Sequence, residues 1–78
     1  MGSPPLRRKQ ARKTALTARE IEVLRWVANG RSASEIGGIL HITKRTVDAH
    51  AHSVIRKIGA VNRVNAVAIA IRDRIIEV

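Results

Sequence analysis

The stretch from Ser32 to Ile58, SASEIGGILHITKRTVDAHAHSVIRKI, constrains the fold of this chain more than any other. Ser32 and Glu35 have the spacing of a capping box, in which hydroxyl and carboxylate each satisfy an otherwise free backbone amide. That predicts a helix over Ala33–Leu40, with Ile36, Ile39 and Leu40 on its apolar side. Thr43 then caps a longer helix over Lys44–Ile58, and Gly59 supplies a residue suited to the left-handed stop. A short helix, a turn of about four residues and a longer helix with one polar face make a helix-turn-helix. An α-helix fits the DNA major groove and presents side chains to base edges there, so the motif points to duplex DNA.

Two steeply crossing helices need apolar residues at fixed offsets and a small residue where the backbones meet. Ile36, Leu40, Ile42 and Val47 occupy the offsets, and Gly37 the close contact. Gly37 and Gly38 each weaken a helix by about 1 kcal/mol relative to alanine, which calls for a packing reason. His41 stands in the turn, where glycine is common. Spacing alone equally fits an ordinary helical hairpin in a bundle.

The flanks supply two further helices. Thr17 and Glu20 form a second capping box, followed by Ile21, Leu24, Val27 and Ala28 at helical spacing, so the first helix is expected over Ala18–Asn29, with Asn29-Gly30 as its left-handed stop. Leu16, just before the cap, is placed to staple onto Ile21 or its neighbours. Asn62 or Arg63 opens a fourth helix reaching about Arg74, with Ala66, Val67, Ala70 and Ile71 at core spacing. The expected fold is all-α, four short helices in a single domain over residues 16–78, preceded by an arm or linker over residues 1–15.

Composition agrees. Trp26 is the sole aromatic, so the core is aliphatic, which suits a small helical bundle better than a β-sandwich. The net charge is +9, and Arg7, Arg8, Lys9, Arg12 and Lys13 supply five positive charges with no acid among them. Such an arm suits a polyanion through phosphate neutralisation, or serves as a solvated linker. Without cysteine there is neither disulfide nor thiolate metal site. No apolar run approaches the roughly 18 residues that span a bilayer, and no signal-peptide core is present. The redox compartment stays open on composition, and no membrane partner is expected.

The longer helix carries the chemistry. Val47, Ala51, Val54 and Ile58 form one stripe that should pack inward, with Ile55 beside it. Lys44, Arg45, Asp48, Ala49, His52 and Arg56 fall on the opposite side. The first turns of a recognition helix meet base edges, which makes Lys44, Arg45, Asp48, Ala49 and His52 the base-contact candidates. Lysine and arginine suit guanine O6 and N7, aspartate accepts from cytosine N4, and alanine meets a thymine methyl. Asp48 also repels phosphate, so it is either a discriminating residue or a partner for Arg45 or His52. Phosphate contacts are expected from Arg31, Thr46, Arg56, Lys57, Arg63 and the amides that open the helix.

These pieces resemble the DNA-binding domain of LuxR-type transcription regulators. The matching residues are Leu16-Thr17-x-Arg19-Glu20-x-Glu22-Val23-Leu24, Gly30-x-Ser32, Glu35-Ile36, Ile39-Leu40, Thr46-Val47-x-x-His50, Lys57-Ile58 and Asn62-Arg63 followed by Ala66-Val67. Trp26 and Val61-Asn62-Arg63 look closer to the quorum-sensing branch than to the two-component response-regulator branch. The resemblance implies a domain bound to double-stranded DNA as a symmetric homodimer, its third helix in the major groove. The family's base-reading positions match Asp48, Ala49 and His52, where basic residues are frequent, so Asp48 departs from the tendency. Ser53 stands where Asn is common, and Gly37 where Ala is common. The fourth helix is the family's dimer element. In it Val64, Ala68 and Ile69 are apolar but outside the core stripe, and the rival reading is a helix buried more broadly. Such a homodimer is expected to be weak without DNA or the rest of the protein. Any signal ligand would be bound by a domain absent from this chain.

Nothing points to an enzyme. His50 and His52 lie two apart on a helix and face different ways, so they cannot chelate one ion together. Ser53 has His50 three residues away, but no oxyanion hole or pocket completes a catalytic set. No cofactor is expected. The rival from another class is a helical protein-interaction module, which would show no steep salt dependence toward duplex DNA.

Overall fold

The computed structural model describes residues 15–77. The basic arm over Arg7–Lys13 lies outside them. Four helices follow one another: α1 Ala18–Ala28, α2 Ala33–Leu40, α3 Lys44–Ile58 and α4 Arg63–Arg72. No strand occurs among the described residues. The all-α expectation holds, and α2 and α3 have the bounds read from their caps.

Both capping boxes are closed. Thr17 Oγ1 accepts from the Glu20 amide at 3.0 Å while Glu20 Oε1 accepts from the Thr17 amide at 2.8 Å. At α2 the Ser32 hydroxyl accepts from the Glu35 amide at 3.1 Å, and Glu35 Oε1 accepts from the Ser32 amide at 2.8 Å. Thr43 caps α3 by accepting from the Thr46 amide at 3.1 Å, and Asn62 caps α4 by accepting from the Asn65 amide at 2.8 Å. Each cap satisfies one of the orphan amides of a first turn, an interaction typically worth about 1 kcal/mol.

Helix α3 is the hub. It packs against α1, α2 and α4, and α1 also meets α2 and α4, whereas α2 and α4 do not touch among the described residues. Two aliphatic clusters result. Val23, Ala33, Ile36 and Val47 join α1, α2 and α3, with Trp26, Val27, Leu40 and Ile42 packed around them. Leu16, Leu24, Val54, Ala66, Ala70 and Ile76 join α1, α3, α4 and the tail. The inward stripe of α3 is as expected: Val47, Ala51 and Val54 are buried, and Ile58 packs at the edge.

The turn of the helix-turn-helix explains one of its two glycines. His41 adopts the left-handed conformation at φ 60° and ψ 42°, which histidine tolerates better than most side chains. The Gly37 carbonyl accepts from the Ile42 amide at 2.9 Å, folding the turn back over α2. A Cβ on Gly37 would stand 2.6 Å from the Ile42 carbonyl oxygen. The close approach is therefore made by the turn itself, between α2 and α3. Gly38 has open space around its Cβ position, and packing does not account for it.

Several expectations at helix ends are corrected. Helix α1 stops at Ala28; Asn29 caps it at φ −87° and the left-handed residue is Gly30 at φ 85°. Helix α4 ends at Arg72, and Arg74 takes φ 61°. The chain then folds back, with the Ile75 amide donating to the Ala70 carbonyl at 2.7 Å. This turn buries Ile76, a core residue that periodicity within α4 does not reveal. Ile71, expected in the core, is 41% exposed, as is Ile39.

Candidate nucleic-acid interface

The outward face of α3 is built by the same periodicity that builds the core. At about 100° per residue, Arg45, Ala49, His52 and Arg56 recur as i, i+4, i+7 and i+11, opposite the buried Val47–Ala51–Val54 stripe. All four are exposed, as is Lys44, and Asp48 flanks them half-buried. The five base-contact candidates thus share one side of α3. No ion pair restrains Arg45 or Arg56 among the described residues.

Asp48 does not pair with Arg45 or His52. Its carboxylate accepts from the Lys44 ammonium at 3.0 Å and from the Arg63 guanidinium of α4 at 2.6 Å. The bonds from Lys44 and then Arg63 outweigh its partial desolvation and hold its carboxyl below the ordinary aspartate range. Arg63, expected at phosphate, is thereby tied to the edge of the reading face.

The remaining phosphate candidates lie around that face. Thr46 is half-buried in the first turn of α3, its hydroxyl 2.9 Å from that of Thr43. Arg31 is exposed and only loosely paired with Glu35, at 3.9 Å. Lys57 is differently placed. Its ammonium donates to Glu20 Oε1 at 2.9 Å and Oε2 at 3.2 Å, so it is a tertiary anchor and not a free cation.

The Glu20 site was missed in the sequence beyond its capping role. Glu20 is 5% exposed, yet its carboxylate also accepts from the Ser53 hydroxyl at 2.6 Å. Burial raises its pKa, but Ser53, the Thr17 amide and Lys57 together lower it from 4.5 to about 2. One buried carboxylate therefore closes the first turn of α1 and clamps the C-terminal half of α3 to it. Its partners are 33 and 37 residues away, and no local pattern links them.

On α4, Val64 is 79% exposed and Ala68 is exposed, with Val61 exposed just before the helix. Ile69 is half-buried. Val64, Ala68 and Ile71, at i, i+4 and i+7, form the outward apolar stripe, so Ile71 takes the place there that was expected for Ile69. No cluster of three metal-ligating side chains occurs among the described residues, and no helix there is long and apolar enough to cross a membrane.

A basic helix face held on a three-helix support by a tight turn defines the class: a helix-turn-helix DNA-binding domain. The family model for bacterial regulatory proteins of the luxR family matches residues 14–70. The chain is 59% identical over 63 residues to the transcriptional activator protein BjaR1 of Bradyrhizobium diazoefficiens, covering 81% of this chain and 26% of that protein. It is 54% identical over 57 residues to the transcriptional activator protein SolR of Ralstonia nicotianae, covering 73% and 24%. It is 49% identical over 65 residues to the HTH-type quorum sensing-dependent transcriptional regulator RpaR of Rhodopseudomonas palustris, covering 83% and 27%. The chain belongs to the luxR family of bacterial regulatory proteins. It spans about a quarter of the length of these relatives.

Proposed function

We propose that this chain is the DNA-reading effector domain of a longer quorum-sensing transcription regulator acting on the nucleoid in the bacterial cytoplasm. Helix α3 enters the major groove of double-stranded DNA with Lys44, Arg45, Asp48, Ala49 and His52 toward base edges. Arg31, Thr46, Arg56, Arg63 and the amides opening α3 hold the flanking phosphates. Lys57 serves this reading as the anchor that fixes α3 on Glu20. Two copies meet through the Val64–Ala68–Ile71 stripe of α4, with Ile69 at its side, and read half-sites about one helical turn apart, roughly 10 bp. The exposed patch is small, so the isolated domain dimerises weakly without DNA. The signal ligand binds outside this chain. The relatives named as quorum-sensing or activator proteins favour this branch over a two-component output domain.

The observation that carries the reading is the open Arg45–Ala49–His52–Arg56 face of α3, set on the helix whose opposite side is the core. Two substitutions test it on a duplex that the domain prefers. His52→Ala should relax preference at one base position, at about 1–3 kcal/mol of discrimination. Arg56→Ala should weaken all duplexes alike and lower the salt slope by about one unit. Unchanged single-base specificity in His52→Ala would remove that residue from the reading face. An effect of Arg56→Ala confined to one base would remove its phosphate role.

A further inference from the structure

Lys44 and Arg63 occupy places that helix stability disfavours. Each is the first residue of its helix, α3 and α4, where the macrodipole is positive and a cation is unwelcome. Both turn to the same carboxylate, Asp48, at 3.0 and 2.6 Å. The arrangement sets two cations and one compensating anion at the edge of the reading face, where a DNA phosphate would otherwise be the natural partner. The pairs are open to solvent, with side-chain exposures of 63% for Lys44, 42% for Arg63 and 32% for Asp48, so they can exchange partners without unfolding anything.

We propose that Asp48 is a specificity-determining residue that acts as an internal competitor of phosphate, holding Lys44 and Arg63 in the free domain and releasing them only where a base in the groove offers the carboxylate a donor. On unrelated duplex, releasing the two cations leaves a carboxylate facing the phosphates with no partner. On a site that places a cytosine N4 amino group or an equivalent donor beside α3, the carboxylate is satisfied, Arg63 turns to the backbone and Lys44 to the adjacent base edge. Non-specific binding, which rests almost wholly on phosphate contacts, is then suppressed more than specific binding. Discrimination here comes from weakening the wrong complex.

This inference rests on the DNA-reading role of α3. Its test compares the domain with Asp48→Asn, Arg63→Met and the double variant, each titrated with a selected duplex and with a mixed-sequence duplex between 50 and 200 mM potassium chloride. Asp48→Asn should tighten binding to mixed-sequence duplex roughly two- to thirtyfold, the range for two partly exposed ion pairs given up. It should steepen the salt slope by about one to two units, at about 0.9 per added phosphate contact. The ratio of selected to mixed affinity should fall. In the Arg63→Met background the gain should drop by at least half. Unchanged mixed-duplex affinity in Asp48→Asn, with the wild-type preference intact, overturns the inference alone. So does an equal gain in the Arg63→Met background, because that would be charge repulsion without a clamp. A wild-type domain with no preference for any duplex overturns the DNA-reading role and the inference with it. Asp48→Ser, expected to show the same gain, guards against a local packing effect of asparagine.

Discussion

Replacing Glu20 by glutamine should remove the ionic clamp between α1 and α3 while leaving the shape of the site intact. The carboxylate accepts four hydrogen bonds: from the Thr17 amide at 2.8 Å, from Ser53 at 2.6 Å, and from Lys57 at 2.9 and 3.2 Å. Lowering its pKa from 4.5 to about 2 corresponds to roughly 3 kcal/mol in favour of the folded, ionised form, at about 1.4 kcal/mol per pH unit. Glutamine retains one acceptor for Thr17 and the Ser53 hydroxyl can turn to accept from its amide, but the amide hydrogens confront the Lys57 ammonium and the ionic attraction is gone. Lys57 keeps a 35% exposed side chain and turns to water, so the loss falls short of the full penalty for an orphaned buried charge. We expect Glu20→Gln to lose about 2–3 kcal/mol at pH 7, which lowers the melting temperature by roughly 10–20 °C in a domain of this size. Urea unfolding followed by Trp26 fluorescence and far-ultraviolet circular dichroism measures it. The folded-state pKa is depressed, so the contribution is fully present above about pH 4.5 and is lost as pH falls toward 2. The gap between wild type and variant should therefore shrink to less than half of its neutral value by about pH 3. A gap below about 0.5 kcal/mol at pH 7, the usual range for surface substitutions, or one that stays constant from pH 7 to 3, would refute the clamp.

Two more outcomes follow from the same structure. Gly38→Ala, whose Cβ meets nothing, should stabilise the domain by about 0.5–1 kcal/mol, whereas Gly37→Ala sets a Cβ 2.6 Å from the Ile42 carbonyl oxygen and should destabilise it by up to about 2 kcal/mol. Urea midpoints showing the opposite order would contradict the close approach at the turn. Val64→Asp should abolish cooperative binding to paired half-sites while leaving helicity and single half-site affinity unchanged, because Val64 is 79% exposed. Undiminished cooperativity in gel-shift titrations would remove α4 from the dimer.

Legibility in the sequence tracked how local each determinant is. The starts of α1, α2 and α3 were readable because Thr17, Ser32 and Thr43 cap them within three residues. The outward face of α3 was readable because helical periodicity sorts its residues into two sides. What escaped was made by the tertiary fold. Ser53 and Lys57 meet Glu20 across more than thirty residues, and Arg63 meets Asp48 across fifteen. Arg45 or His52 was expected beside Asp48; Lys44, equally local at i, i+4, takes that place, and Arg63 joins it from α4. Lys57, expected at phosphate, is bound by Glu20 through an equally distant contact. Ile76 escaped because a left-handed arginine, not a glycine, turns the chain back after α4, and nothing in that residue type signals such a turn.

The central claim is that α3 reads duplex DNA through its open face. The most direct measurement is selection of bound sequences from a random duplex pool, run in parallel with wild type and with Arg45→Ala/His52→Ala. Wild type should enrich two related half-sites in inverted orientation, with centres roughly 10 bp apart. The double variant should lose information at the base positions that α3 faces while keeping the spacing. No enrichment by wild type, or an identical motif from the double variant, would contradict the account.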